Sequence, residues 1–259
     1  MSLLQKCTRS AFDSLASVLL LGFALGTGGC SAPGQGRGDD PRIAAERIQA
    51  VVQSPIRTDQ DRGMDASRHP AEFLSFAQAR PGMQVLDIAA GGGYTSQLLA
   101  LAVGDSGRVW AQRSKPGDAL NKRLAEHPQA NLVFALRPYD DPVPEQAAPL
   151  DLVTLVLNYH DITYLPVDRA SMNQHVFAAL KPGGHFIVID HSAKLGADIS
   201  SGKTLHRIDE AVVLAEVQKA GFRLEAEASF LRNPDDARET PMGDMKIPTD
   251  RFVLRFVKP

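Results

Sequence analysis

The chain has 259 residues, of which 44% are apolar and 22% charged, with a formal net charge of −2. That balance supports an ordinary globular core and suits one large α/β domain with extras, or two small domains. No long basic run is present, so no nucleic-acid partner held through phosphate neutralisation is expected.

The N-terminus differs in kind from the rest. Lys6 and Arg9 precede an apolar stretch over 15–25, too short to span a bilayer as a mature helix. The small residues Gly26, Thr27, Gly28 and Gly29 then lead to Cys30 and Ser31. Residues 1–30 read as an export signal, which places the mature chain in a bacterial envelope. The Gly-Gly-Cys ending resembles a lipoprotein signal, in which Cys30 carries the lipid; Thr27 stands where leucine is usual. A membrane contact is expected only through that anchor. The competing reading is an apolar tail on a cytoplasmic protein, or a wrongly assigned start codon. Both cysteines, Cys7 and Cys30, fall in this leader, so the remaining chain has no disulfide and no thiol nucleophile.

Residues 31–54 form a Gly- and Pro-rich tether and a short helix over 43–52 that Pro55 ends. A charged segment over 57–68 leads to a helix over 70–79, with Pro70 in its first turn. From Met83 onward, strand and helix patterns alternate. Strands are predicted at 85–89, 108–112, 132–135, 150–157 and 185–190, and helices at 95–103, 118–127, 168–180 and 207–220. The nearly continuous apolar run over 150–157 predicts a central strand covered on both faces. Two last strands, 222–231 and 251–257, have no helix between them. The expected fold is α/β: a doubly wound seven-stranded sheet over 55–259, mostly parallel, with an antiparallel C-terminal hairpin.

The chemistry concentrates where the strand over 85–89 runs into Ala90-Gly91-Gly92-Gly93-Tyr94. In doubly wound sheets the ligand lies beyond the carboxyl ends of the strands. Glycines admit a ligand close to the backbone, and the following helix start offers unpaired N–H groups. Asp87 at the strand end suits a positively charged ligand better than a pyrophosphate. The alternative is a plain strand-to-helix turn.

This run resembles motif I of class I methyltransferases, Asp-x-Gly-x-Gly-x-Gly. Asp87, Gly91 and Gly93 match it, and Ala89 replaces the first glycine. Further landmarks are Asp151-Leu152-Val153, Asn158-Tyr159-His160-Asp161 and Leu180-Lys181-Pro182-Gly183-Gly184. The resemblance implies a Rossmann-like fold, S-adenosylmethionine as cofactor, and contacts to it from Asp87, Ala89, Gly91, Gly92, Gly93 and Asn158. The chain is also similar to a bacterial group of predicted, often exported methyltransferases, through Asp190-His191-Ser192-Ala193, Leu205-His206-Arg207-Ile208-Asp209-Glu210, Leu231-Arg232-Asn233-Pro234 and Thr249-Asp250-Arg251-Phe252. Where the family carries an acid for the ribose, the second strand ends Trp110-Ala111-Gln112-Arg113; Gln112 is the expected, weaker substitute. Asp140 or Asp141 is expected to face the adenine amino group, unless that segment is only a turn.

Methyl transfer needs alignment, exclusion of water and sometimes removal of a proton. His160, at the end of the central strand, is the candidate base, with Asp161 to orient it or touch the substrate. Otherwise both merely cap the strand. Asp190 and His191 end the next strand and are expected at the same cleft. Asp209 and Glu210 read as complements of a helix dipole. The spacing of histidines and acids fits no standard zinc pattern, so no metal is expected. A small-molecule acceptor is the default, since no Asn-Pro-Pro-Tyr string appears. Two rivals stand beside this reading. One is an NADP-dependent oxidoreductase, with Arg113, Ser114 and Lys115 on a 2′-phosphate. The other is an exported binding module that kept the fold without the reaction.

Overall fold

The computed structural model describes residues 40–147 and 149–259; the export signal, Cys7, Cys30 and most of the tether lie outside them. Among the described residues no helix is long and apolar enough to cross a membrane.

Three helices come first: α1 (Pro41–Val52), α2 (Asp59–Arg68) and α3 (Pro70–Ala77). Asp40 caps α1 by accepting from the Arg42 N–H, and Pro41 sits in its first turn. Thr58 and Asp61 form a reciprocal capping box at the start of α2. The charged segment over 57–68 is therefore mostly a helix, whose start is marked by the Thr58-x-x-Asp61 spacing.

The alternating part follows as β1 (Gln84–Ile88), α4 (Tyr94–Val103), β2 (Arg108–Arg113), α5 (Asp118–Glu126), β3 (Leu132–Leu136), β4 (Leu150–Val156), α6 (Tyr159–Ile162), α7 (Arg169–Ala179), β5 (Leu180–His191), α8 (Ser201–Leu205), α9 (Glu210–Lys219), β6 (Arg223–Ala228) and β7 (Arg251–Val257). The seven strands form one sheet in the order β3-β2-β1-β4-β5-β7-β6. All pairs are parallel except those of β7, which runs antiparallel to both β5 and β6. This is the expected doubly wound sheet with its closing hairpin.

The apolar runs explain the layering. Val85, Leu86 and Ile88 of β1 and Leu152, Val153 and Leu155 of β4 are buried, as central parallel strands require. Their alternating side chains feed two apolar clusters. One contains Leu86, Val153, Phe186 and Phe252; the other contains Val85, Leu152, Ile187 and Val253. Among the boundaries that differ from expectation, two have a local cause. The Lys181-Pro182-Gly183-Gly184 turn is absorbed into β5, whose pairing with β4 shifts register between Leu150 and Leu152. The helix expected from 207 starts at Glu210, because Asp209 caps it by accepting from the Ala211 N–H. Asp209 is thus a cap and not simply a charge near the dipole.

The chain winds outward from β1 through β2 to β3, then crosses back to β4 on the other side of β1. The reversal leaves a crevice beyond the carboxyl ends of β1 and β4, the usual ligand position in such sheets.

Candidate functional site

A cavity of about 630 Å³ occupies that crevice, within the range of small-molecule and cofactor sites. Asp87, Ala89, Ala90, Gly91 and Gly92 line it from the β1 turn, and Val156, Leu157 and Asn158 from the end of β4. Ala119, Lys122 and Arg123 of α5 form one wall, and Gln60, Met64 and Arg68 of α2 another.

Asp87 is 1% exposed. Ser96 Oγ donates to it at 2.5 Å and Thr154 Oγ1 at 2.7 Å. Burial pushes its pKa up, and these two hydrogen bonds limit the rise to about 6. At neutral pH it is therefore a buried carboxylate, and no ion pair to it forms among the described residues. A buried charge of this kind attracts a cation placed in the cavity beside it.

The turn after Asp87 is held by an unexpected residue. Ala89 adopts a left-handed backbone, φ 56°, a conformation that costs a side-chain-bearing residue about 1–2 kcal/mol. Its N–H donates to Gln112 Oε1 at 2.9 Å, and the Ala90 N–H donates to the Gln112 carbonyl at 2.9 Å. Gln112 Nε2 in turn donates to the Arg137 carbonyl at 2.6 Å. Gln112 is fully buried and does not line the cavity. Its expected role at a ribose is corrected: both ends of its amide are committed to the backbone.

The three glycines do different work. Gly91, φ 56°, faces open space, with only the Ala89 carbonyl 4.0 Å from where a Cβ would lie. Gly92 lines the cavity beside Ala119. Gly93, φ 85°, does not line it; a Cβ there would meet Leu120 Cδ1 at 2.8 Å. The expectation that Gly93 touches the cofactor is replaced by close packing of α4 against α5. Asn158 lines the cavity and donates to the carbonyls of Ala89, at 3.4 Å, and Val156, at 3.1 Å, joining the ends of β1 and β4.

Asp140 and Asp141 do not reach the cavity. Asp141 pairs with Arg137 four residues earlier, and the Asp140 carbonyl accepts from His175 Nδ1 at 2.8 Å. The segment is a turn tied to its own surroundings, and the expected contact with an adenine is corrected. Arg113, the candidate for a 2′-phosphate, donates to the carbonyls of Gly91 and Lys115.

The cavity wall from α2 was not anticipated. Arg123 Nε donates to the Gly92 carbonyl at 2.6 Å, and its two terminal nitrogens donate to Asp61 at 2.7 and 2.8 Å. Burial raises the Asp61 pKa, but the Arg123 and Thr58 hydrogen bonds outweigh that and lower it to about 2. One guanidinium thus clamps the start of α2 onto the glycine turn. A second clamp joins Arg57 to Asp65, and the Tyr94 hydroxyl donates to Asp65 at 2.7 Å.

His160 and Asp161 lie elsewhere. His160 is 2% exposed and does not line the cavity, although Asn158 two residues before it does. Its N–H and Nδ1 bond both oxygens of the buried Asp190, at 2.8 and 2.6 Å, and its Nε2 lies 3.2 Å from Asp161 Oδ1. Burial opposes charge on the ring, but the hydrogen bonds to Asp161 and Asp190 outweigh it and push the pKa up to about 9. Both ring nitrogens of His160 thus face carboxylates rather than the cavity where a base at the cofactor cleft was expected. Asp161 accepts from Tyr164 at 2.7 Å and faces His206 Nδ1 at 3.2 Å. His191 is buried against Thr249, and burial together with nearby cations lowers its pKa to about 2. Asp190 and His191 are therefore interior groups, and neither lines the cavity.

No family model matches the chain. It is 30% identical over 132 residues to the ubiquinone/menaquinone biosynthesis C-methyltransferase UbiE of Paraburkholderia phytofirmans, covering 50% of this chain and 53% of that one. The chain spans about half the length of the curated relatives it matches. Among solved structures it is similar to an S-adenosylmethionine-dependent methyltransferase of Aquifex aeolicus, with a TM-score of 0.57 and 15% identity over 83% of this chain and 98% of that one. A methyltransferase of Mesorhizobium loti gives a TM-score of 0.55 and 17% identity over 75% and 99%. The chain therefore has the Rossmann-like α/β fold of these S-adenosylmethionine-dependent methyltransferases.

Proposed function

We propose that this chain transfers a methyl group from S-adenosylmethionine to a small-molecule acceptor. The observation that carries the reading is the buried Asp87 carboxylate beneath an open glycine turn at the switch point of the sheet. S-adenosylmethionine has a cationic ammonium and a sulfonium, and Asp87 is the anion that would hold its amino-acid end. Gly91 and Gly92 leave room at the backbone, and Asn158 fixes the opposite edge of the crevice. The α2 wall, clamped by Arg123 and Asp61, bounds that space on one side. The sulfonium supplies its own leaving group, so the protein's part is alignment.

The partial similarity to a C-methyltransferase supports the same reaction class. The test is formation of S-adenosylhomocysteine by the full chain during a screen of small-molecule pools. Turnover with one pool that disappears in Asp87→Ala supports the proposal. Tight cofactor binding with no turnover on any pool favours the second reading, a binding module, which the withdrawal of His160 from the cavity supports. We further propose that the leader over 1–30 directs the chain to the envelope, as a soluble periplasmic protein or as a lipoprotein anchored through Cys30.

A further inference from the structure

We propose that His160, Asp161 and His206 bind a divalent first-row transition-metal ion of the zinc class, through two imidazole nitrogens and one carboxylate. One ligand atom from each residue lies within 4.8 Å of the others. Asp161 Oδ1 stands 3.2 Å from His160 Nε2 and 3.2 Å from His206 Nδ1. Ligands bound tetrahedrally at the usual metal distances stand about 3.3 Å apart, so both carboxylate–imidazole separations already match those of ligands on an ion.

Two further features favour a built site. Asp190, fully buried, takes the Nδ1 side of His160 at 2.6 Å and is itself held by the backbone N–H groups of His160 and His191. A carboxylate behind a histidine in this way fixes the ring and strengthens it as a metal ligand. On the other side, α8 packs unusually close to α6. A Cβ at Gly202 would fall 2.3 Å from Thr163 Oγ1 and 2.6 Å from the His160 carbonyl. His206 follows α8 in a left-handed conformation, φ 53°, and its ring stands perpendicular to that of His160 with centroids 5.6 Å apart.

A divalent ion also offsets the negative charge of the two carboxylates gathered around His160, Asp161 and Asp190. His160 is buried, whereas the Asp161 and His206 side chains are 35% and 41% exposed. An ion therefore has a path of entry and keeps open coordination positions. Two nitrogens and one oxygen suit zinc, cobalt, nickel or iron rather than magnesium or calcium. None of the three ligands lines the cofactor cavity, so the proposal stands apart from the methyl-transfer reading.

The full chain carrying Cys7→Ser and Cys30→Ser, which removes both thiols, is stripped with a chelator and titrated with zinc chloride and cobalt chloride. The expected result is one ion per chain, with cobalt d–d bands of a nitrogen–oxygen site. Asp190→Asn weakens affinity roughly 10- to 100-fold, and the half-exposed variants His206→Ala and Asp161→Asn weaken it more. Circular dichroism verifies that these two variants are folded. Absence of stoichiometric binding at micromolar metal, or equal affinity in folded His206→Ala and Asp161→Asn, overturns the proposal and leaves the cluster as hydrogen-bonded side chains only.

Discussion

Gln112 Oε1 accepts the backbone N–H of Ala89 at 2.9 Å, and so one buried amide on β2 holds the left-handed turn that ends β1. Gln112→Ala leaves the Ala89 N–H and the Arg137 carbonyl without their partner. The expected loss is about 1–3 kcal/mol of stability, the scale for buried unsatisfied groups. Denaturant unfolding reads it directly, and the cofactor affinity should fall with it because the turn loosens. Ordinary stability in Gln112→Ala would show that the turn does not depend on this bond.

Asp87 makes the free protein pH-sensitive. Burial pushes its carboxyl up to about 6 in the folded chain, against 3.8 for an ordinary aspartate. The folded state therefore binds the proton more tightly than the unfolded state between those values, and stability falls as pH rises from 3.8 to about 6. The Asp87 contribution to that fall is on the order of 2–3 kcal/mol. It should be absent in Asp87→Asn, which removes the titration. Stability curves at pH 4 and pH 7 for the two proteins give the comparison; an equal change in both would assign the effect to other groups.

The Asp61–Arg123 pair works in the opposite direction. The folded pKa of Asp61 is lowered to about 2 from 3.8, so its contribution is present above pH 3.8 and is lost as pH falls through 2. The side chains are 1% and 10% exposed, and removing one partner strands the other. Arg123→Met should cost about 3–5 kcal/mol and speed hydrogen exchange in α2 and the glycine turn together. Faster exchange confined to α5 would mean that Arg123 does not couple them.

Export is tested by fractionation. The mature chain should appear in the envelope, and Cys30→Ser should release it from the membrane, since several acyl chains hold far more firmly than one. Recovery from the cytosol with Met1 or Ser2 as the first residue would show that the leader is retained.

The sheet was legible because its signals are local. The apolar run over 150–157 and the glycine cluster after Asp87 mark a central strand and a ligand turn without any knowledge of neighbours. Asp87, Gly91 and Asn158 line the crevice, and their places at strand ends are what the backbone pattern alone can give. Gln112 lies near the end of the second strand, one residue before its last, but which way its amide is used depends on Ala89 and Arg137, which are 23 and 25 positions away. Likewise His160 and Asp190 are 30 positions apart, and Asp161 and His206 are 45 apart. No linear spacing reports that these segments meet. For Asp140 and Asp141 the sequence leaves a turn and a ligand contact both open, and the Arg137 side chain that engages Asp141 is not announced by any motif.

The central claim is that the crevice beside Asp87 holds S-adenosylmethionine against the glycine turn. Titration calorimetry of the full chain with S-adenosylhomocysteine and S-adenosylmethionine, in wild type and Gly91→Val, tests it most directly. Gly91 has open space before it, so valine there fills the ligand's room at a stability cost of about 1–2 kcal/mol for the left-handed backbone. Wild type is expected to bind one molecule per chain, and a Gly91→Val variant that still unfolds cooperatively is expected to bind none. Unchanged affinity in that variant, or no binding by wild type, would contradict it.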